Sequence, residues 1–243
     1  MISYLFNTFF YQPLFNGLIF LYNIVPGHDF GVSIIILTIL IRLIIWPLTN
    51  KGIKNQKVLN KIQPQIEEIK KRFKENKEGR AKALMALYTD NKISPFAGFL
   101  PIIIQIPIII ALWRVFLNSA NLDMGSLYSF ISAPASIQLV FLGLVDLSQR
   151  SVVLAIISGV LQYFQTKMIM PSFAKASGGA PPSKSSDFGQ IMSKQMLYLG
   201  PVLSIVIFWS LPAALPLYWI VVSLLTMLQQ YLNQNNGREF DKN

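Results

Sequence analysis

"IIILTILIRLIIWPL", residues 34–48, decides how the rest of the chain is read. Apart from Thr38, Arg42 and Pro47 it is built from large apolar side chains. A guanidinium facing lipid at the centre of a bilayer costs about 2.5–3.5 kcal/mol on insertion scales. Either Arg42 has a reason to be there, or the run does not cross a membrane. Composition favours the first. The 243 residues are 53% hydrophobic and 13% charged, where a soluble domain carries about 25% charged residues. Several apolar runs approach the ~20 residues that span a hydrocarbon core.

Outward from this run, five apolar segments read as transmembrane helices: 29–49, 96–117, 150–170, 196–211 and 214–232. The last two are joined by a short link holding Pro212, a tight hairpin of antiparallel helices. The fold class expected is an all-α membrane protein. It has five transmembrane helices, a cytoplasmic helical hairpin and an N-terminal interfacial helix. That first segment, 1–28, is aromatic, uncharged before its end, and interrupted by Asn7, Gln12, Pro13 and Asn16. It reads as amphipathic and lying on the membrane, the alternative being a sixth span. It has neither a basic start nor a small-residue cleavage site, so a removable signal is not expected.

Charge orients the chain. Residues 51–92 hold twelve Lys or Arg against five Asp or Glu, whereas 1–29 and 118–149 hold no Lys or Arg. The positive-inside rule then puts the N-terminus outside and both the basic loop and the C-terminus in the cytoplasm. Within the basic loop, 50–95, Leu59, Ile62, Ile66, Ile69 and Phe73 make a stripe on one helix face. Leu84, Leu87 and Tyr88 supply a second apolar face. The pattern predicts a hairpin of helices over 53–76 and 80–91, with Gly79 as pivot. The segment 171–195 is rich in Gly, Ser and Pro and reads as a flexible cytoplasmic loop. The outer loop, 118–149, contains an apolar stretch broken by Pro134 that is expected at the outer interface, and 233–243 is a short cytoplasmic tail.

Catalytic chemistry finds little material. There is no cysteine, and the one histidine, His28, sits in a loop-like "PGHDFG" and reads as a solvated loop residue. Apart from Asp29 at the outer edge of the first, the apolar runs contain no Asp, Glu or His, and no P-loop spacing occurs. No enzyme, metal or cofactor is expected. The one intramembrane charge has two readings. Arg42 stands five residues before Pro47, about one and a half helical turns, so it could snorkel to the inner headgroups. Alternatively it lines a water-filled cavity open to the cytoplasm. Polar residues on other spans favour the cavity: Thr38 one turn earlier, Gln105, the pair Gln162 and Gln165, and Ser204, Ser210, Ser223, Thr226 and Gln229. Pro101 and Pro107 would loosen the second span.

The order of motifs carries a resemblance. "ILIRLIIWPLT" (39–49), a basic hairpin, "PFAGFLPIIIQIPIIIALWRVF" (95–116), "GVLQYFQTKMI" (159–169) and "LGPVLSIVIFWSLPAALPLYWIVVSLLTMLQQYL" (199–232) follow one another. Over about residues 10–234 the chain resembles the YidC membrane protein insertase family of the YidC/Oxa/Alb group. It matches the short form, without a large periplasmic domain or a long basic tail. The resemblance implies a protein of the bacterial inner (plasma) membrane that inserts and folds nascent membrane proteins without nucleotide hydrolysis. It implies a hydrophilic groove open to the cytoplasm and closed outward. Arg42 matches its arginine, Gln105 the glutamine of P-x-x-x-Q-x-P, and Trp219 the tryptophan of "LYW"; Thr38, Gln162 and Gln165 complete the candidate groove. Lys70, Lys71, Arg72, Lys74, Lys77 and Arg80 are the candidate partner contacts. The partners implied are nascent substrates, the bilayer, the ribosome and the Sec translocon, with no specific nucleic-acid sequence. A small transporter binding an anionic solute at Arg42 is the competing reading.

Overall fold

The run around Arg42 forms part of one long helix. The structure, a computed structural model, describes residues 2–94, 100–117, 124–169 and 184–240. Helix α1 (Ile2–Phe6), a π turn (Asn7–Tyr11) and α2 (Gln12–Ile24) lead into α3 (Phe30–Arg72). Then come α4 (Lys77–Asp90), α5 (Leu100–Leu117), a two-stranded hairpin of β1 (Val140–Phe141) and β2 (Val145–Asp146), and α6 (Val152–Ile169). Helices α7 (Lys184–Trp209) and α8 (Ala214–Phe240) close the chain. The segments Phe30–Leu59 and Ala214–Asn233 are long and apolar enough to cross a membrane; Ile103–Leu117, Val152–Met168 and Leu197–Trp209 are shorter apolar helices.

Three boundaries differ from those expected. Helix α3 runs through position 50 without a break, so the first apolar segment and the first hairpin arm are one helix of 43 residues. Pro47 and Pro64 lie inside it; each removes one backbone hydrogen bond, which a helix this long absorbs. The turn of the hairpin lies at Phe73–Asn76, and Gly79 is already inside α4. Asn76 decides this: its Oδ1 accepts from the Gly79 N–H at 2.8 Å and caps the helix. Last, α7 begins at Lys184, so part of the expected 171–195 loop is helical. The rest of that loop, the expected start of the second span, 118–123 of the outer loop and the last three residues lie outside the described residues.

Of the expected stripe, Leu59, Ile62 and Ile66 belong to the hairpin's apolar cluster, and Ile69 and Phe73 do not. Ile62 and Ile66 of α3 are buried with Ile93, against Val58, Leu59, Leu84, Leu87 and Tyr88. Asn76→Ala is expected to cost α4 about 1 kcal/mol, read as roughly five-fold faster hydrogen exchange of its amides. Unchanged exchange would show the cap to be idle.

The main core lies at one end of the bundle. Phe15, Leu18 and Ile19 of α2 are fully buried with Phe30 and Ile34 of α3, Leu112 and Phe116 of α5, and Leu215 and Tyr218 of α8. Phe30 sits edge-on to both Tyr22 and Phe116. The segment between α5 and α6 covers this end, and its Ile131 and Leu147 belong to the same cluster. Polar side chains tie it down. Asn16 donates to Ser126 O at 3.1 Å and accepts from Tyr128 N at 2.6 Å. The Tyr22 hydroxyl accepts from Gln138 N at 2.8 Å, and Asn23 donates to Ser132 O at 2.8 Å. From the other side, Ala213 N and Ala214 N donate to Gln149 O and Leu147 O. His28 is exposed in the turn before α3, its Nδ1 3.0 Å from Tyr22 O.

Candidate functional site

Beyond this packed end the interior becomes polar. Arg42 lies on α3 two turns past Ile34, where the core cluster thins out. Its side chain is partly buried, and its Nε is buried with no hydrogen-bond partner among the described residues. An unmet donor on a cation inside a protein is costly, and such groups call for an explanation. Thr38, one turn earlier, is buried and donates to Ile34 O at 2.6 Å, so its hydroxyl hydrogen is spent within its own helix.

Gln105 reaches from α5 to donate through Nε2 to the hydroxyl of Tyr218 on α8. This contact links α5 and α8. A second set joins α6, α7 and α8: Gln162 Oε1 accepts from Ser204 Oγ at 2.6 Å and from Trp219 Nε1 at 3.0 Å. Tyr218 and Trp219 are neighbours in sequence, so the two sets meet in the first turns of α8. Gln165 lies partly buried further along α6. Ser223 Oγ and Gln230 Oε1, also on α8, are buried without a hydrogen-bond partner among the described residues. Gln162→Leu would strand the Trp219 N–H, a loss of about 1–3 kcal/mol. It is expected to lower the unfolding midpoint in detergent and shift the tryptophan emission; an unmoved midpoint would count against the bridge.

Tyr218 was not among the candidates read from sequence. Its signal was present: a tyrosine inside an apolar helix needs a partner for its hydroxyl. A polar ladder between α3 and α8 was missed as well. Gln229 Nε2 donates to Thr49 Oγ1 at 3.0 Å and to Trp46 O at 3.2 Å. Asn233 bonds Asn50, and Lys57 Nζ donates to Asn233 O at 2.8 Å. Gln229 and Asn233 are one turn apart, which is the pattern that could have found it.

The basic residues gather at the tip of the α3–α4 hairpin. Lys70, Lys71 and Arg72 form the last turn of α3, Lys74 lies in the connection, and Lys77 and Arg80 open α4. All are exposed except Arg80, which is partly covered. An ion pair there, Lys82 with Glu78 at 2.7 Å, uses none of the six.

A family model described as "60Kd inner membrane protein" matches residues 20–239, a stretch that includes every candidate residue above. The chain belongs to that family. Among similar proteins, one from Fusobacterium nucleatum is 34% identical over 232 residues, covering 95% of this chain and 99% of the relative. One from Geotalea daltonii is 33% identical over 227 residues, 92% of this chain but 37% of the relative. One from Syntrophus aciditrophicus is 34% identical over 222 residues, 90% of this chain and 35% of the relative. Each carries the name membrane protein insertase YidC. The motif-based resemblance to the YidC family therefore holds across most of the chain, which spans little over a third of its longer relatives.

Proposed function

We infer that the chain is a membrane protein insertase of the bacterial inner membrane. It inserts and folds nascent membrane proteins through a hydrophilic groove whose charge is Arg42. The observation that carries the groove is the buried Arg42 Nε without a partner among the described residues, in a stretch of α3, residues 34–48, whose only other polar side chain is that of Thr38. Water and a transient acidic ligand would each satisfy such a donor.

The two ends of the bundle support a direction. Aromatic packing and the tied-down outer segment close the apolar core at the end where α3 begins, beside a surface cleft lined by Tyr22, His28 and Gln138. Polar groups of five helices stand beyond it. Five spans, with the N-terminus outside and the C-terminus in the cytoplasm, would put the packed end outward and the basic hairpin inward.

The mechanism follows. The cations at the hairpin tip meet the nascent chain, the ribosome or the Sec translocon. The substrate's acidic outer segment is drawn toward Arg42, because attraction between charges strengthens as water is excluded. Water in the groove lowers the cost of carrying polar segments inward. The substrate's apolar helix leaves sideways into lipid, driven by its own burial at about 25 cal/mol per Å². The protein itself performs no covalent step and consumes no nucleotide.

Reconstitution tests this. Vesicles carrying the protein should protect the outer tail of a short single-span substrate from external protease, and empty vesicles should not. Equal protection in both would end the insertase reading.

A further inference from the structure

The β1–β2 hairpin ends in "LGL", residues 142–144, an apolar tip that the packing leaves bare. Leu142 is 62% exposed and Leu144 84%. Leu142 and Gly143 both have positive φ, 49° and 71°, and Leu144 N closes the turn on Phe141 O at 2.9 Å. Turns of this kind take Asn-Gly or Asp-Gly, because a leucine is strained in the left-handed region. In water, strain and exposure would both weigh against leucine here.

The base of the hairpin is held firmly. Register pairs Val140 with Asp146 and Phe141 with Val145. Phe141 lies so close over Gly31 that a Cβ there would stand 2.2 Å from its Cδ2. Asp29 caps α3 through Oδ1 on Val32 N at 3.0 Å, and its Oδ2 accepts from Leu142 N at 2.7 Å. The tip is thus fixed beside the first turn of α3.

We propose that this hairpin is a membrane finger whose Leu142 and Leu144 sit in the headgroup and acyl boundary of the outer leaflet. The proposal rests on the reading that α3 spans the bilayer, since its depth comes from α3. The apolar run starts at Phe30, so a tip tied to Asp29 and Gly31 lies where hydrocarbon gives way to headgroups. Lipid suits it better than a protein. A stable protein interface needs about 800 Å² per partner, far more than two leucines and Val140 offer. Residues 118–149 carry no Lys or Arg to steer an acidic partner. For a chain already held in the membrane, a few buried side chains suffice to fix the outer segment at one depth.

The absence of cysteine makes the test clean. Single variants Leu144→Cys, Ile44→Cys and Glu75→Cys carry an environment-sensitive fluorophore in phosphatidylcholine–phosphatidylglycerol vesicles. Quenchers are iodide in the water and a phosphatidylcholine with a nitroxide near its carbonyls. The probe at Leu144 should be quenched by the spin-labelled lipid about three-fold more than the probe at Glu75, and be shielded from iodide to a similar degree. Iodide access at Leu144 equal to that at Glu75, with Ile44 quenched by lipid, overturns the finger while leaving the span intact. Shielding of Leu144 from both quenchers also overturns it and assigns a protein partner. If Ile44 escapes lipid quenching, the spanning reading fails and the finger falls with it.

Discussion

Arg42→Ala is expected to reduce insertion of a substrate with an acidic outer tail by about ten-fold, the equivalent of ~1.4 kcal/mol of lost attraction. Insertion of the same substrate with a neutral tail should hardly change. Arg42→Lys should keep most of the activity, because a long-range charge needs no planar fork. The variant should fold at least as well as the parent. The guanidinium has a buried Nε with no partner among the described residues, and removing an uncompensated buried group relieves a cost of about 1–3 kcal/mol. So the unfolding midpoint in detergent should rise or hold while acidic-tail insertion falls. A residue kept at a cost to stability is the pattern of a functional charge. Protease protection in reconstituted vesicles measures the first quantity and a thermal melt the second. Equal insertion of acidic tails by Arg42→Ala would leave Arg42 as a snorkelling side chain.

The helices were legible because their apolar runs and stripes come from local chemistry. The ends were not, and α3 shows why. The onset of charge at Lys51 marks a change in surroundings, but backbone hydrogen bonds are indifferent to it, and the helix continues to Arg72. Gly79 looked like a pivot because glycine is permissive. The turn belongs instead to Asn76, whose side chain satisfies an N–H that the helix leaves free. The outer segment was the least readable part. Asn16, Tyr22 and Asn23 were visible only as polar residues in or beside an apolar run. Their partners are mostly backbone groups more than one hundred positions away, at Ser126, Gln138 and Ser132. Such pairings leave no period in sequence. The candidate site was half legible for the same reason. Gln162 and Trp219 each stood out alone, but their shared hydrogen bond depends on how α6 meets α8. Tyr218 was hidden beside a more conspicuous neighbour.

Gly159→Val is expected to have the largest effect on folding. Gly159 lies on α6 against α7, and an added Cβ would stand 2.3 Å from Ile205 Cγ1 and 2.7 Å from its Cδ1. The Ile205 side chain could turn away, but the Pro201 carbonyl oxygen, 3.1 Å from the same point, is backbone and cannot. Small residues let helices approach closely in lipid, where packing rather than the hydrophobic effect holds them together. Two further methyl groups would therefore force α6 and α7 apart, at a cost of about 1–3 kcal/mol or more. The separation would carry Ser204 away from Gln162, because that 2.6 Å bond bridges the same two helices. Stability and insertion should then fall together, unlike the opposed changes expected at Arg42. Gly200→Ala is the control: its Cβ would meet Gln162 Nε2 at 3.7 Å, ordinary contact in the same helix pair. It should melt near the parent, with Gly159→Val several degrees lower. If both variants melt alike, the close approach of α6 and α7 is not what holds the polar bridge in place.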